Sequence, residues 1–172
     1  MSFFDYVVAD YETDTFNASV IWMGGAQNLL TGEYRSFVGA EEVADLSYEL
    51  AVNSKMVVGH YFRGFDRKIV KKLTGLEIAD DKIIDTVEMS KKLCPQLPNH
   101  KLETWGELFD YPKFKQPIFE HFTPEMIPYC ERDVRLNTKV FEFLLELFWE
   151  KHLESIPPGY ELLLEYADKK YA

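Results

Sequence analysis

The feature of this sequence that most restricts its fold is an apolar run that ends in two carboxylates. Val7 and Val8 lie in a β-branched stretch that predicts a buried strand. Asp10 and Glu12 follow at its end. Because side chains two positions apart on a strand point to the same face of a sheet, we expect these carboxylates to project together.

Two later segments place further acids on regular elements. Asp66 follows an apolar strand predicted at 56–60 and a short loop, and it opens a helix predicted at 65–74. Tyr129 and Asp133 are four residues apart in a long helical segment and therefore share one face of that helix. The order of these pieces lets four acids converge in one pocket.

Four ionised carboxylates in one pocket repel one another and require positive charge. Two unit charges about 4 Å apart cost roughly 4 kcal/mol at an effective dielectric near 20. Two Mg²⁺ or Mn²⁺ ions would cancel four negative charges, and Mg²⁺ prefers oxygen ligands. Two such ions about 3.5–4 Å apart can hold the attacking and leaving oxygens of an in-line phosphoryl displacement. The pattern therefore indicates a two-metal phosphodiester hydrolase.

The motifs, together with the segments 83–90 and 100–106, resemble a known family. Over roughly residues 5–150 the chain is similar to the DEDD 3′→5′ exonucleases of the tyrosine subgroup, and in particular to the proofreading domain of phage family-A DNA polymerases. Pro128 stands where the histidine subgroup would carry its catalytic histidine, which favours the tyrosine subgroup. The resemblance implies that Tyr129 is a catalytic hydroxyl and that the metal-binding and catalytic carboxylates are those of Asp10, Glu12, Asp66 and Asp133.

The residues predicted to contact substrate are of several chemical types, unlike the predicted metal ligands, which are all acids. Relatives usually have asparagine five residues before the second-motif aspartate, whereas this chain has Tyr61, which can stack on a base. Some basic residues between 55 and 115 are candidates to line a strand path, and two of them lie inside site motifs. The predicted substrate-binding residues are Thr13, Tyr61, Phe62, Arg63, His100 and Lys101.

The order of predicted elements indicates an α/β fold. Strands at 4–11, 18–24 and 33–38, a helix at 41–53, a strand at 56–60, a helix at 65–74 and a strand at 82–86 predict a mixed sheet with helices on both faces. This βββαβα order is also the ribonuclease-H-like layout that the resemblance implies.

The second half is predicted to be mostly helical. A helix at 101–109 precedes an irregular segment at 111–122, and a long helix capped by Thr123 runs to about His152. We expect one exonuclease domain over residues 1–156 and a C-terminal tail segment over 157–172 that docks on it.

Composition restricts the partners. A net charge of −10 argues against tight non-specific binding of duplex nucleic acid, but an enzyme that grips a few terminal nucleotides needs few phosphate contacts. No secretory leader, no apolar run long enough to span a membrane and two cysteines without zinc-ligand spacing predict a cytoplasmic setting, including that of a phage-infected cell.

The resulting prediction is a metal-dependent exonuclease acting on the 3′ end of single-stranded DNA. The resemblance implies release of nucleoside 5′-monophosphates, by a free-standing enzyme or by a proofreader beside a separate DNA polymerase. One alternative is an exonuclease of RNA or short oligonucleotides. The other is a non-catalytic module that recognises nucleic acid or a protein, which the acidic charge and Tyr61 favour.

Overall fold

The computed structural model describes all residues from Met1 to Ala172. Five strands form one mixed sheet in the order β3-β2-β1-β4-β5. The central strand β1 pairs antiparallel with β2 and parallel with β4, and β4 pairs parallel with β5. The strands are β1 (Tyr6–Thr13), β2 (Ile21–Asn28), β3 (Tyr34–Val38), β4 (Met56–Gly59) and β5 (Ile83–Asp85).

Six α-helices flank this sheet, and the longest of them, α5, crosses the face of β1 and β2. A π-helical turn (Glu49–Asn53) extends the first helix, and a 3₁₀ turn (Asp80–Lys82) precedes β5. None of the helices is both long enough and apolar enough to cross a membrane. The helices are α1 (Gly39–Tyr48), α2 (Asp66–Thr74), α3 (Thr86–Leu93), α4 (Leu102–Leu108), α5 (Met126–Lys151) and α6 (Leu162–Lys170).

Alternate residues of β1 enter two separate cores. Tyr6 and Val8 pack in the cluster that includes α5, whereas Val7 and Ala9 pack in the cluster that includes α1 and α2. The predicted mixed sheet with helices on both faces is therefore confirmed. By the same alternation, Asp10 and Glu12 lie on the side of the sheet that α5 covers.

Two local predictions need correction, and one helix was missed. The second strand begins at Ile21 rather than near residue 18, because the Asp14 carboxylate accepts hydrogen bonds from the Ser19 and Val20 amides and closes the turn. Helix α5 begins at Met126, and Thr123 does not cap it, since its hydroxyl is buried without a hydrogen-bond partner. Helix α3 was not predicted.

The irregular segment 111–122 is confirmed and lies against α5 and β2. The Trp22 indole N–H donates to the Phe119 carbonyl at 2.8 Å. The Arg132 guanidinium stands over the Tyr111 ring, with its Cζ atom 3.4 Å from the ring centroid. Its Nε donates to the Pro112 carbonyl at 2.8 Å. These contacts fix both ends of a segment that has no regular hydrogen bonding of its own.

The C-terminal helix α6 packs against the start of β1 and against α5. The Tyr166 ring lies 5.6 Å from that of Tyr6 and 5.9 Å from that of Phe141, measured between centroids. Lys170 Nζ donates to the Leu29 carbonyl at 2.9 Å. Helix α6 shares a buried cluster with the sheet. The predicted domain boundary at residue 156 stays a prediction.

Candidate active site

Strand β1 and helix α2 bring three of the predicted acids together. Carboxylate oxygens of Asp10 and Glu12 and the sulfur of Cys130 all lie within 4.8 Å of one another. The Tyr11 amide donates to Asp66 Oδ2 at 3.2 Å, which fixes the Asp66 carboxylate beside the end of β1. Asp66 therefore reaches the acids of β1 from the first turn of α2.

Helix α5 supplies the other side of the cluster. Tyr129, Cys130 and Asp133 lie within one turn of each other and are all buried. Asp133 Oδ2 is 3.2 Å from Lys113 Nζ, while Oδ1 is buried and has no hydrogen-bond partner. The four predicted carboxylates and Tyr129 are thus brought to one place by two strand-end positions, a helix start and one helix face.

The electrostatics of the cluster favour bound cations. Burial raises the pKa of all four acids, that of Asp133 to about 7 and those of Glu12 and Asp66 well above the ordinary value. The negative charge of Asp10 adds to each of these three shifts. The four carboxylates offer oxygen ligands, which Mg²⁺ and Mn²⁺ prefer. One of these oxygens, Asp133 Oδ1, is buried and has no hydrogen-bond partner.

Lys113 is a site residue that the sequence did not reveal. Its ammonium lies 5.2 Å from the centroid of the Tyr129 ring as well as beside Asp133. Burial alone would lower the pKa of Lys113, but Asp133 and Tyr129 outweigh it and raise that pKa. Burial, with the charge of Asp133, raises the pKa of Tyr129 to about 12, so this phenol is neutral at physiological pH. Lys113 belongs to the irregular segment 111–122, where no periodic spacing signals its direction.

A cleft of about 500 Å³ opens onto the cluster. Asp10 and Asp133 line its floor, and three of the predicted substrate residues, Tyr61, His100 and Lys101, line its walls. Lysine side chains contribute to the walls from three separate segments, namely Lys91, Lys101 and Lys113. The cleft therefore joins an acidic floor to a partly basic wall in a protein with a net charge of −10.

Tyr61 occupies an unusual backbone position at the rim of this cleft. Its φ of 56° lies in the left-handed region, which asparagine tolerates better than tyrosine. Its amide donates to Asp85 Oδ1 at 3.0 Å, and its half-exposed ring lies against Gly64, where an added Cβ would stand 2.4 Å from the ring. Tyr61 is thus held in place by Asp85.

Three other predicted substrate residues do not line the cleft. Phe62 is fully buried in the core beside Gly59, and its contact with substrate stays a prediction. The guanidinium of Arg63 is engaged by Asp80, Glu88 and the Ile83 carbonyl and does not line the cleft. Thr13 donates its hydroxyl to the Thr15 carbonyl at 3.0 Å. The side-chain directions of Phe62 and Arg63 follow from loop packing, which the sequence motif does not encode.

Two histidines connect the walls of the cleft to its supporting elements. His60 Nδ1 is hydrogen-bonded to Thr86 Oγ1 at 2.9 Å, and burial lowers the pKa of His60 to about 4, so its ring is neutral at pH 7. His100 Nδ1 is hydrogen-bonded to Ser90 Oγ at 2.6 Å. His60 also lines the cleft.

The side chain of Asp85 caps helix α3. Its carboxylate accepts a hydrogen bond from the Val87 amide at the start of α3, at 3.0 Å. The same carboxylate accepts from the Arg63 amide at 3.1 Å, and so it also holds the loop that carries Tyr61.

Comparisons with known proteins identify the fold. No protein-family model matches the chain, and no curated protein matches its sequence. Among solved structures, Brucella melitensis NrnC bound to pGG is 19% identical, with a TM-score of 0.69 over 97% of this chain and 80% of that one. Brucella melitensis NrnC with bound Mg²⁺ is 18% identical, with a TM-score of 0.69 over 86% of this chain and 75% of that one.

A more distant likeness is to Phi29 DNA polymerase complexed with single-stranded DNA. It is 16% identical, with a TM-score of 0.50 over 82% of this chain and 31% of the polymerase. At such identities the likeness concerns the fold. It confirms the predicted ribonuclease-H-like α/β architecture.

Proposed function

We propose that this chain is a metal-dependent 3′→5′ exonuclease of the tyrosine DEDD subgroup. It removes terminal nucleotides from single-stranded DNA as nucleoside 5′-monophosphates, either as a free-standing enzyme or beside a separate DNA polymerase. The observation that carries this proposal is the convergence of four carboxylates, three of them buried, with Tyr129 and Lys113 beside an open cleft.

The acids argue for catalysis rather than for simple recognition. Buried carboxylates close together are costly unless they are neutralised, and Lys113 is the one cation that the chain itself brings into contact with them. A module that only recognises nucleic acid or protein does not need buried carboxylates that destabilise its fold. We therefore assign two Mg²⁺ or Mn²⁺ ions to the residues Asp10, Glu12, Asp66 and Asp133.

The remaining side chains have distinct roles in the proposed reaction. When bound, divalent cations would activate water for attack and stabilise the charge that develops on the phosphate and the leaving oxygen. Tyr129 keeps its proton at neutral pH and donates a hydrogen bond that orients the attacking water or the scissile phosphate. Lys113, next to both Tyr129 and Asp133, supplies a positive charge toward a non-bridging phosphate oxygen.

The cleft walls suit a short single-stranded end. The ring of Tyr61 offers a stacking surface, while Lys91 and Lys101 offer charges for phosphates. The likeness to Phi29 DNA polymerase in complex with single-stranded DNA supports a DNA strand. The likeness to NrnC bound to pGG favours, as a second candidate, a short oligonucleotide or RNA substrate.

Degradation of labelled strands tests the proposal. We would incubate 5′-labelled single-stranded DNA and the matched RNA with Mg²⁺ or Mn²⁺, using wild type, Asp10→Asn and, as a matched control, Asp168→Asn on the exposed face of α6. We expect a ladder that shortens from the 3′ end with wild type and with Asp168→Asn, and no ladder with Asp10→Asn or with EDTA.

The same experiment separates the alternatives. Faster loss of RNA than of DNA would favour the second candidate, because only a pocket that accepts the 2′-hydroxyl can process RNA. If both strands stay intact in every lane, the chain is not a nuclease and the non-catalytic module becomes the better explanation.

A further inference from the structure

A cysteine sulfur lies among the acids to which the proposed function assigns metal binding. The Sγ of Cys130 and carboxylate oxygens of Asp10 and Glu12 are all within 4.8 Å of one another. Cys130 is fully buried, and its sulfur is 4.0 Å from the Asp10 carbonyl oxygen. The sulfur therefore lies behind the end of β1, on the side that α5 covers.

These separations suit one ion held by mixed ligands. Zinc binds thiolate sulfur at about 2.3 Å and carboxylate oxygen at about 2.0–2.2 Å, so ligand atoms of a tetrahedral site are roughly 3.5 Å apart. A bound ion would have to draw the Asp10 and Glu12 oxygens and the Cys130 sulfur from within 4.8 Å of one another to that separation.

A second observation points to the same place. Asp133 follows Cys130 by three residues, almost one turn of α5, and is 6% exposed. Its Oδ1 atom is buried and lacks any hydrogen-bond partner, although Oδ2 pairs with Lys113. Asp133 is not among the three residues whose ligand atoms lie within 4.8 Å of one another, but its unpartnered buried oxygen is a polar atom that a cation at this part of α5 would satisfy.

This ligand set differs from the all-oxygen set that Mg²⁺ prefers. Thiolate is a soft ligand that selects zinc and related transition metals, whereas carboxylate suits Mg²⁺ and Mn²⁺. A serine or alanine at position 130 would leave an oxygen-only centre, so the cysteine is what changes the ion selectivity.

We infer that Cys130, with Asp10 and Glu12, binds a soft divalent cation such as Zn²⁺ or Co²⁺, which displaces Mg²⁺ from this position. The inference rests on the proposed function in assigning these acids to a cation centre. Binding is a ligand exchange without redox change: the metal–sulfur bond forms as the S–H bond breaks, and the proton passes to the buffer. Zn²⁺ is then an inhibitor that competes with Mg²⁺.

Cobalt absorption tests the sulfur ligand directly. We would titrate wild type, Cys94→Ser and Cys130→Ser with Co²⁺ and record the thiolate-to-cobalt charge-transfer band in the near ultraviolet. Because Cys94 and Cys130 are the two cysteines of the chain, and Cys94 is buried outside the acid cluster, Cys94→Ser is a matched control.

We expect the band in wild type and Cys94→Ser, its loss in Cys130→Ser, and its displacement by Zn²⁺ but not by equimolar Mg²⁺. No band in wild type, or a band that disappears in Cys94→Ser, would overturn the inference. The second result remains decisive even if Cys130→Ser fails to fold, because Cys94→Ser retains Cys130 as its one thiol.

A parallel cleavage assay keeps the two proposals apart. Cleavage with Mg²⁺ but no cobalt–thiolate band would refute the soft-cation site and leave the proposed nuclease function standing. The band without cleavage would support the soft-cation site and refute the proposed nuclease function. We also expect Cys130→Ser to need at least about tenfold more Zn²⁺ than wild type for equal inhibition of Mg²⁺-dependent cleavage. Equal sensitivity to Zn²⁺ would contradict the inference.

Discussion

The floor and the rim of the cleft are built by different means. The floor consists of acidic side chains, buried or half-buried, on regular elements, β1, α2 and α5. The rim consists of the loop that carries Tyr61, the start of α4 and the irregular segment 111–122, and it supplies aromatic and basic side chains. The difference suggests a division of labour in which the floor holds cations for the chemical step and the rim holds the strand.

The largest expected effect comes from removing one charge from the floor. In Asp133→Asn we expect kcat to fall by about 10³-fold or more, because losing a cation ligand removes several kcal/mol of transition-state stabilisation. Single-turnover cleavage of labelled DNA measures this. Asp168→Asn, an equally conservative change on exposed α6, should leave the rate unchanged. Similar rates for Asp133→Asn and wild type would break the distinction between floor and rim.

Lys113 tests whether a residue from the irregular segment acts at the floor. In Lys113→Met we expect kcat to fall by about 10- to 100-fold with little change in KM, since a hydrogen bond to a charged group contributes about 1.5–3 kcal/mol. Lys115→Met, exposed two residues further along the same segment, is the control. A change confined to KM would instead assign Lys113 to the rim.

The pH dependence of stability tests the floor without substrate. Burial raises the pKa of Asp133 to about 7, well above its ordinary value. Such a group stabilises the native state fully below its unfolded pKa, near 4, and that contribution is lost as pH rises through about 7. For the metal-free protein we therefore expect the free energy of unfolding to fall between pH 4 and 7, by at most about 1.4 kcal/mol per pH unit for each carboxyl group.

Thermal melts in EDTA across this pH range measure the effect. Saturating Mg²⁺ should raise Tm more at pH 8 than at pH 5, because cations favour the ionised carboxylates. Asp133→Asn should flatten the pH dependence. A Tm that rises from pH 4 to 7 in EDTA would show that these acids are not the controlling groups.

The smallest effect is expected at the rim, in Tyr61→Asn. Asparagine accepts the left-handed backbone of this position more readily than tyrosine, so we expect the free energy of unfolding to rise by about 1 kcal/mol. Loss of the exposed ring should raise KM a few-fold at unchanged kcat. Urea unfolding and steady-state kinetics measure the two quantities, and a large fall in kcat would contradict the assignment of Tyr61 to strand binding.

The same division explains how far the sequence leads. Asp10 with Glu12 and Tyr129 with Asp133 lie on a strand and a helix, where a fixed period relates sequence spacing to direction. Their meeting place was predictable, as was the mixed sheet. Phe62 and Arg63 lie in a loop, where packing against Gly59 and pairing with Asp80 determine side-chain directions. No local pattern encodes those tertiary contacts, so their predicted contact with substrate had no physical basis in spacing.

Lys113 shows the opposite error, a site residue without a signal. It reaches Asp133 because the contacts of Trp22 and Arg132 hold the irregular segment against the sheet and α5. Those contacts join residues far apart in the chain. A single sequence therefore leaves Lys113 indistinguishable from the surrounding surface lysines.

The most direct test of the account is to count cations and cleavage in the same samples. Free Mn²⁺ would be followed by electron paramagnetic resonance while wild type, Asp133→Asn and Asp168→Asn are titrated, and 5′-labelled single-stranded DNA would then be added. We predict two Mn²⁺ ions bound per chain and shortening from the 3′ end for wild type and Asp168→Asn, with both reduced in Asp133→Asn. Wild-type protein that binds no Mn²⁺ and leaves both DNA and RNA intact would contradict the account.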